Sequence, residues 1–358
     1  MKPAAVTSAV SSDSLDIPLI DFSAFVSGDE TTKRTTAQAI LSGFQQAGFI
    51  YLRNHGIAKD TVQTTFAESA KFFKRPLEQK SQLAWTTPEA NRGYSAQGQE
   101  KVTDLKDKND IEKLIAEEGA DLKESLEIGR DNEPGMPNHW PDRFDSEGAV
   151  FKEQMLAFFE RCKELHMLVM RAIAVGLGID ETWFDSFCEV GDNTLRLLHY
   201  PEVRADVFKK NKNQVRAGAH TDYGSITLLF QDMAGGLQVQ SPKGNFVDAT
   251  PIEDTIVVNA GDLLARWSND NIRSTKHRVM EPPKPAESDM HPARYSIAYF
   301  CNPDFRRFID AIPGTYDEVK SKKYEGINRW VCRLFGCIIP ADRLRSGEYL
   351  VQRLAATY

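Results

Sequence analysis

The chain has 358 residues, 41% of them hydrophobic and 27% charged, an ordinary globular balance with room for one large domain or two modest ones. Its net charge of −7 gives no electrostatic basis for a nucleic-acid or anionic-membrane partner, so a small-molecule substrate fits better. No stretch approaches the roughly 18 apolar residues of a membrane span, and five scattered cysteines (Cys162, Cys188, Cys301, Cys332 and Cys337) point to a reducing, cytoplasmic setting.

Residues 1–14 are small and polar, lack the apolar core of a secretory signal, and are expected to form a disordered leader. Residues 15–190 read as a mainly helical region with a few strands that joins the core. DIPLIDFSAF (16–25) looks like a strand and turn. In 33–48 the apolar residues Ala37, Ile40, Leu41, Phe44 and Ala47 fall at helical spacing, and FIYLRNHGI (49–57) is a second strand. The segments 60–80 and 148–177 are again helical. The charge-rich stretch 100–133 is expected to be a solvated surface excursion.

From about residue 194 short β-type segments alternate with turn residues: TLRLLHY, SITLLF, GLQVQ, NFVDAT, TIVVNAGDLLARWS, STKHRV and RYSIAYF. Their number suits a double-sheet arrangement. The predicted fold is therefore mainly β with flanking helices, its core a double-stranded β-helix (jelly roll) over 191–310. Residues 311–358 are expected to be a C-terminal helical segment.

In GAHTDYGSITLLFQ (218–231) a period of two puts His220 and Asp222 on one face. Alone, such a pair is equally well a hydrogen-bonded turn. His277 in STKHRV changes the balance, because two imidazoles and a carboxylate on adjacent strands can occupy one face of an octahedron and leave the other open. That set favours Fe(II): zinc more often takes four ligands or a third histidine, and calcium wants more oxygens. Arg294 and Ser296 in RYSIAYF share a strand face, and an inward arginine needs a partner. Its planar fork matches a carboxylate, with the serine hydroxyl as a further donor. A dicarboxylic 2-oxoacid satisfies both the metal and Arg294. Tyr200 in TLRLLHY either leans on that carboxylate or simply packs.

His220-Thr221-Asp222, His277 and Arg294-Tyr295-Ser296, in that order, resemble the Fe(II)/2-oxoglutarate-dependent dioxygenases of the isopenicillin N synthase-like superfamily. IPLIDFSAF and AGFIYLRNHGI are similar to that superfamily's N-terminal region, so the resemblance spans nearly the whole chain. It implies a jelly-roll oxygenase with Fe(II) on the triad, 2-oxoglutarate as cosubstrate, O2 as oxidant and ascorbate as a stimulant. Within the superfamily, WTTPEANRGYSA, NAGDLLARWSND, RYSIAYFCNP and QRLAATY look like the thymine-oxidising members. That likeness implies stepwise oxidation of the thymine methyl group through 5-hydroxymethyluracil and 5-formyluracil to uracil-5-carboxylate, with 2-oxoglutarate converted to succinate. It assigns substrate roles to Arg196, Tyr223 and Phe300.

The residues allow a parallel reading. Arg196 shares the presumed inner face of its strand with Tyr200 and can meet a pyrimidine carbonyl or an acidic neighbour; Tyr223 and Phe300 can stack on a flat ring, brace the metal strand or fill core. His55, His139, His166, His199 and His291 are expected to be structural or exposed. Other small substrates of the same superfamily (a terpenoid, flavonoid or amino acid derivative), an iron oxidase without 2-oxoglutarate, and a non-catalytic metal-binding jelly roll remain alternatives. Residues 329–345, RWVCRLFGCIIPADRLR, depart from the thymine-oxidising pattern, in which a segment like YEGIN runs directly into SGEYLVQRLAATY. Splice-like codons are available at Arg329 and Ser346, so this stretch is expected to be intron-derived and remote from the iron.

Overall fold

The computed structural model describes residues 6–98, 121–210, 215–281, 288–317, 319–324 and 345–354. The proposed insert lies outside the described residues except for Arg345, as do Cys332 and Cys337. Cys162, Cys188 and Cys301 are buried free thiols. Among the described residues no helix is long and apolar enough to cross a membrane.

A nine-stranded sheet is built from β1 (Thr7–Ser12), β2 (Leu15–Asp21), β3 (Phe49–Arg53), β4 (Gly93–Ser95), β5 (Glu124–Gly129), β6 (Thr194–Tyr200), β9 (Ile226–Gln231), β12 (Thr255–Ala260) and β15 (Arg294–Cys301), in the order β1-β2-β3-β12-β9-β15-β6-β5-β4. The facing four-stranded sheet has the order β11-β10-β13-β8, from β8 (Ala217–His220), β10 (Leu237–Gln240), β11 (Phe246–Asp248) and β13 (His277–Val279). The short strands β7 (Val203–Arg204) and β14 (Met290–His291) pair on their own. Residues of both sheets, among them Leu198, Ala217, Val239, Val257, Val279 and Ala298, form one apolar cluster between them, which defines the jelly roll.

Strand alternation decides what each face does. On β15, Ile297 and Tyr299 point to the helical layer, while Arg294, Ser296, Ala298 and Phe300 line the space between the sheets. On β6, Leu195 and Leu197 face the helices, and Arg196, Leu198 and Tyr200 face inward. The helical layer is dominated by Ser146–Leu177. Asp145 caps it by accepting from the Gly148 amide at 2.7 Å, and Gly178 ends it at φ 73°. Its buried side chains Phe151, Met155, Phe158, Phe159, Cys162 and Leu165 recur at helical spacing against the sheet. Each such aromatic, fully buried, contributes roughly 1.5–3 kcal/mol of transfer free energy. The helix expected over 33–48 is Glu30–Gln46, capped by Asp29.

Three local expectations change. Residues 7–12, assigned to the leader, form β1 and pair antiparallel with β2. Within the stretch expected to be solvated, 124–129 is the fully buried strand β5, because its charges find partners. Glu124 meets Lys80 at 2.7 Å, His199 at 2.7 Å and the Tyr94 hydroxyl, and Glu127 meets Arg196 at 2.6 Å. Finally, TIVVNAGDLLARWS is not strand throughout: β12 stops at Ala260 and a helix runs over Asp262–Trp267. The break is at Gly261, where a Cβ would lie 2.4 Å from the Gly224 carbonyl oxygen and 3.0 Å from that of Asp222. Among the described residues after 310, Ser346–Leu354 is helical.

Candidate active site

His220 closes β8, and His277 opens β13 as its direct cross-strand partner. That register brings the two rings to a 4.4 Å centroid separation although they are far apart in sequence. The Nδ1 atoms lie 2.8 Å from the Gly218 carbonyl oxygen (His220) and 3.2 Å from that of Thr275 (His277), which directs both Nε2 atoms away from the strands. Asp222 sits in the turn after β8, beyond the strand whose alternation singled it out. Its Oδ1 lies 3.7 Å from His220 Nε2 and 3.6 Å from His277 Nε2. Its Oδ2 accepts from Thr227 Oγ1 at 2.5 Å and Asn259 Nδ2 at 2.7 Å.

One ligand atom from each of His220, Asp222 and His277 lies within 4.8 Å of the others. Burial and repulsion from His277 hold His220 down at about 4, leaving it neutral at pH 7. Burial pushes the Asp222 carboxyl up, but the two histidines, Asn259 and Thr227 together prevail, and it is held below its ordinary value. Two imidazoles and a carboxylate held in its ionised form, each braced through its other polar atom, fit a divalent first-row metal with positions left open.

Helix Asp262–Trp267 pins the turn that carries Asp222. The amides of Gly261, Asp262 and Leu263 donate to the carbonyls of Ser225 (2.9 Å), Asp222 (2.8 Å) and Tyr223 (3.2 Å). The approach is so close that only glycine fits at 261.

Arg294, 1% exposed, lies in the same cavity as the triad. It donates to Ser296 Oγ at 3.0 Å and weakly to Gln231 Oε1 at 3.5 Å, and its guanidinium sits 4.9 Å from the centroid of Tyr200, its cross-strand partner. It forms no ion pair among the described residues. Beside it is Arg216, fully buried, donating to the carbonyls of Tyr200 and Pro292; burial and the Arg294 charge hold it down at about 10. Arg216 was not expected from sequence, although it precedes His220 by an even number of positions on the same segment. Lys123, buried just before β5, also lines this cavity.

Arg196, Tyr223 and Phe300 come together at the cavity mouth next to His220 and Asp222. The Arg196 guanidinium is 5.5 Å from the Phe300 ring centroid. It is also paired with Glu127, so it has the acidic neighbour that was one of its two readings. Asn91, Asn302, Leu350 and Leu354 complete the mouth and carried no sequence signal as site residues. Thr227 and Asn259 likewise went unnoticed, although both sit on inward positions of β9 and β12. The remaining histidines that were set aside stay outside the triad; His199, for example, stacks on Tyr295 at 4.6 Å.

Residues 17–143 match the family model described as the N-terminal region of non-haem dioxygenases in morphine synthesis, and residues 191–303 match that of the 2OG-Fe(II) oxygenase superfamily. The chain belongs to the 2OG-Fe(II) oxygenase superfamily and is a 2-oxoglutarate-dependent dioxygenase. Over nearly its whole length it is similar to Neurospora crassa T7H, thymine-7-hydroxylase. The structure of that enzyme with alpha-KG and thymine is 61% identical, covers 98% of this chain and 100% of that one, and has a TM-score of 0.86. Its complex with alpha-KG and 5-formyluracil is 58% identical, covers 99% and 100%, and has a TM-score of 0.85. The 2-oxoglutarate-Fe(II) type oxidoreductase ppzD of Metarhizium rileyi is 34% identical over 316 residues, 87% of each chain.

Proposed function

We propose that this enzyme oxidises the methyl group of thymine, in steps through 5-hydroxymethyluracil and 5-formyluracil to uracil-5-carboxylate, with 2-oxoglutarate converted to succinate. The observation that carries the reading is the cavity itself. It joins an N2O metal triad, a buried arginine with no carboxylate partner among the described residues, and a mouth lined by Arg196, Tyr223 and Phe300, in a chain 61% identical to an enzyme seen with thymine.

In this reading His220, Asp222 and His277 hold Fe(II). When bound, the metal supplies the dioxygen chemistry that couples methyl oxidation to decarboxylation of the cosubstrate. Arg294 and Ser296 bind the distal carboxylate of 2-oxoglutarate, with Tyr200 beneath the guanidinium. Arg196 donates to a pyrimidine carbonyl, and Tyr223 and Phe300 hold the ring by stacking. Leu350 and Leu354 keep water from the mouth. Misplacing the methyl group by about 1 Å lowers the rate on the order of a hundredfold, which gives these non-reacting contacts their importance.

The same reading includes a cytoplasmic enzyme of pyrimidine metabolism, stimulated by ascorbate, with a core over 191–310 joined by 15–190. It also treats 329–345 as intron-derived; a predominant message that keeps the stretch and directs active enzyme would reverse that. The deciding experiment is product analysis after incubation with Fe(II), ascorbate, 2-oxoglutarate and thymine. The three pyrimidine products with stoichiometric succinate are expected. Succinate release with a terpenoid, flavonoid or amino acid derivative but not with thymine would replace the substrate, and no oxygen uptake with any would remove the activity.

A further inference from the structure

The helix Ser346–Leu354 returns from the end of the described chain to the mouth of the cavity, where Leu350 and Leu354 face the pocket. Its start is tied to the segment after β15: the Ser346 and Gly347 amides donate to the Arg307 and Phe305 carbonyls at 3.0 and 3.1 Å. Its other end is held differently. Arg353 Nη1 lies 2.5 Å from Asp262 Oδ2, with both side chains about four-fifths shielded from water. The same carboxylate oxygen accepts from Thr221 Oγ1 at 3.0 Å, the residue between the ligands His220 and Asp222. The guanidinium also stands 4.4 Å from the centroid of the Tyr223 ring.

One side chain therefore does two things. It joins the terminal helix to the carboxylate that braces the metal-ligand turn, and it covers one face of an aromatic ring at the pocket. A ring with a cation on one face is held in orientation and leaves its other face for a partner. We propose that Arg353 is a positioning residue: it clips the terminal helix shut over the pyrimidine pocket and fixes Tyr223 for stacking. This rests on the thymine reading above and adds to it a residue that touches neither metal nor substrate. Because Asp262 is shared between Arg353 and Thr221, the clip is expected to form or break as a unit.

The test uses the full chain with Arg353→Met, Arg353→Lys and Asp262→Asn. In Arg353→Met the KM for thymine is expected to rise about tenfold while that for 2-oxoglutarate stays within about twofold, with succinate in excess of hydroxylated pyrimidine. Arg353→Lys, which keeps a cation over the ring, should recover part of the loss, and Asp262→Asn should follow Arg353→Met. Independently of turnover, hydrogen exchange in the metal-free protein should quicken at the amides of 348–354 in Arg353→Met and not across the sheets. An unchanged thymine KM and coupling ratio would overturn the proposal. So would an equal rise in both KM values with faster exchange throughout, which marks a purely structural role. If the wild-type enzyme does not turn over thymine, the substrate reading fails first, and the exchange experiment still decides whether the clip exists.

Discussion

Arg294 and Arg196 stand on the inner faces of the paired strands β15 and β6, at opposite ends of one cavity, yet their surroundings differ in one respect. Arg196 is paired with Glu127 at 2.6 Å, whereas Arg294 finds a hydroxyl and an amide oxygen and no carboxylate among the described residues. Holding an uncompensated charge away from water is unfavourable by several kcal/mol, and a carboxylate ligand offsets it. In the proposed reading the Arg294 end, with Arg216 adjacent, is the one prepared for a dianion. In the same reading the Arg196 end takes a neutral molecule, because Glu127 offsets the Arg196 charge and leaves its directional donors.

The largest effect should come from removing what both ends serve. Asp222→Ala or His277→Ala is expected to abolish succinate formation with and without thymine while far-ultraviolet circular dichroism stays unchanged, since a three-ligand site loses affinity and geometry together. Near-normal turnover from either variant would break the assignment. Next, Arg294→Lys should raise the KM for 2-oxoglutarate by about 10- to 100-fold, because an ammonium cannot reproduce the bidentate fork. The KM for thymine should move far less.

Arg196→Ala should act in the opposite sense, raising the KM for thymine several-fold and leaving decarboxylation uncoupled, as read by succinate formed per pyrimidine oxidised. If both arginine variants affected both compounds equally, the division of the cavity would be wrong. The smallest and most discriminating change is Glu127→Gln. It leaves Arg196 with net positive charge, so inhibition by the anion uracil-5-carboxylate should strengthen a few-fold while thymine binding changes little. Equal inhibition of both enzymes would show that the Glu127 pair does not set the charge preference.

The difference between the two arginines was only half legible in the sequence. Arg294 and Ser296, like His220 and Asp222, announced themselves because polar residues at a period of two in apolar strands need a reason, and His277 followed as the third ligand on a neighbouring strand. Glu127 did not, since its strand follows a run of charges that reads as a wet surface; only the pairing of β5 with β6 shows that its charges are matched. Asp222 is singled out by an alternation that ends at His220, and it meets the two histidines from the turn that follows the strand. Arg353, Leu350 and Leu354 were invisible as site residues for a different reason. Their helix reaches the cavity only through tertiary contacts with the segments at 262 and 303–307, and no local pattern records a return over that separation.

The three amides of residues 261–263 that hold the carbonyls of the Asp222 turn have a bearing on how the protein acquires its ion. Where a metal must fold its own site, loading and folding are one event and a chelator denatures the protein. Here the ligand turn is fastened by backbone hydrogen bonds, and its carboxylate by Thr227 and Asn259, so the site is expected to keep its shape without the ion. Chelation is then expected to leave the far-ultraviolet circular dichroism unchanged, and loss of structure on chelation would show the opposite. By affinity alone two imidazoles and a carboxylate rank the first-row divalent ions in the ordinary series, so the preference for iron rests on the open three-ligand geometry. A preparation charged with a different divalent ion is then expected to regain activity after stripping and reloading with Fe(II), with no refolding step.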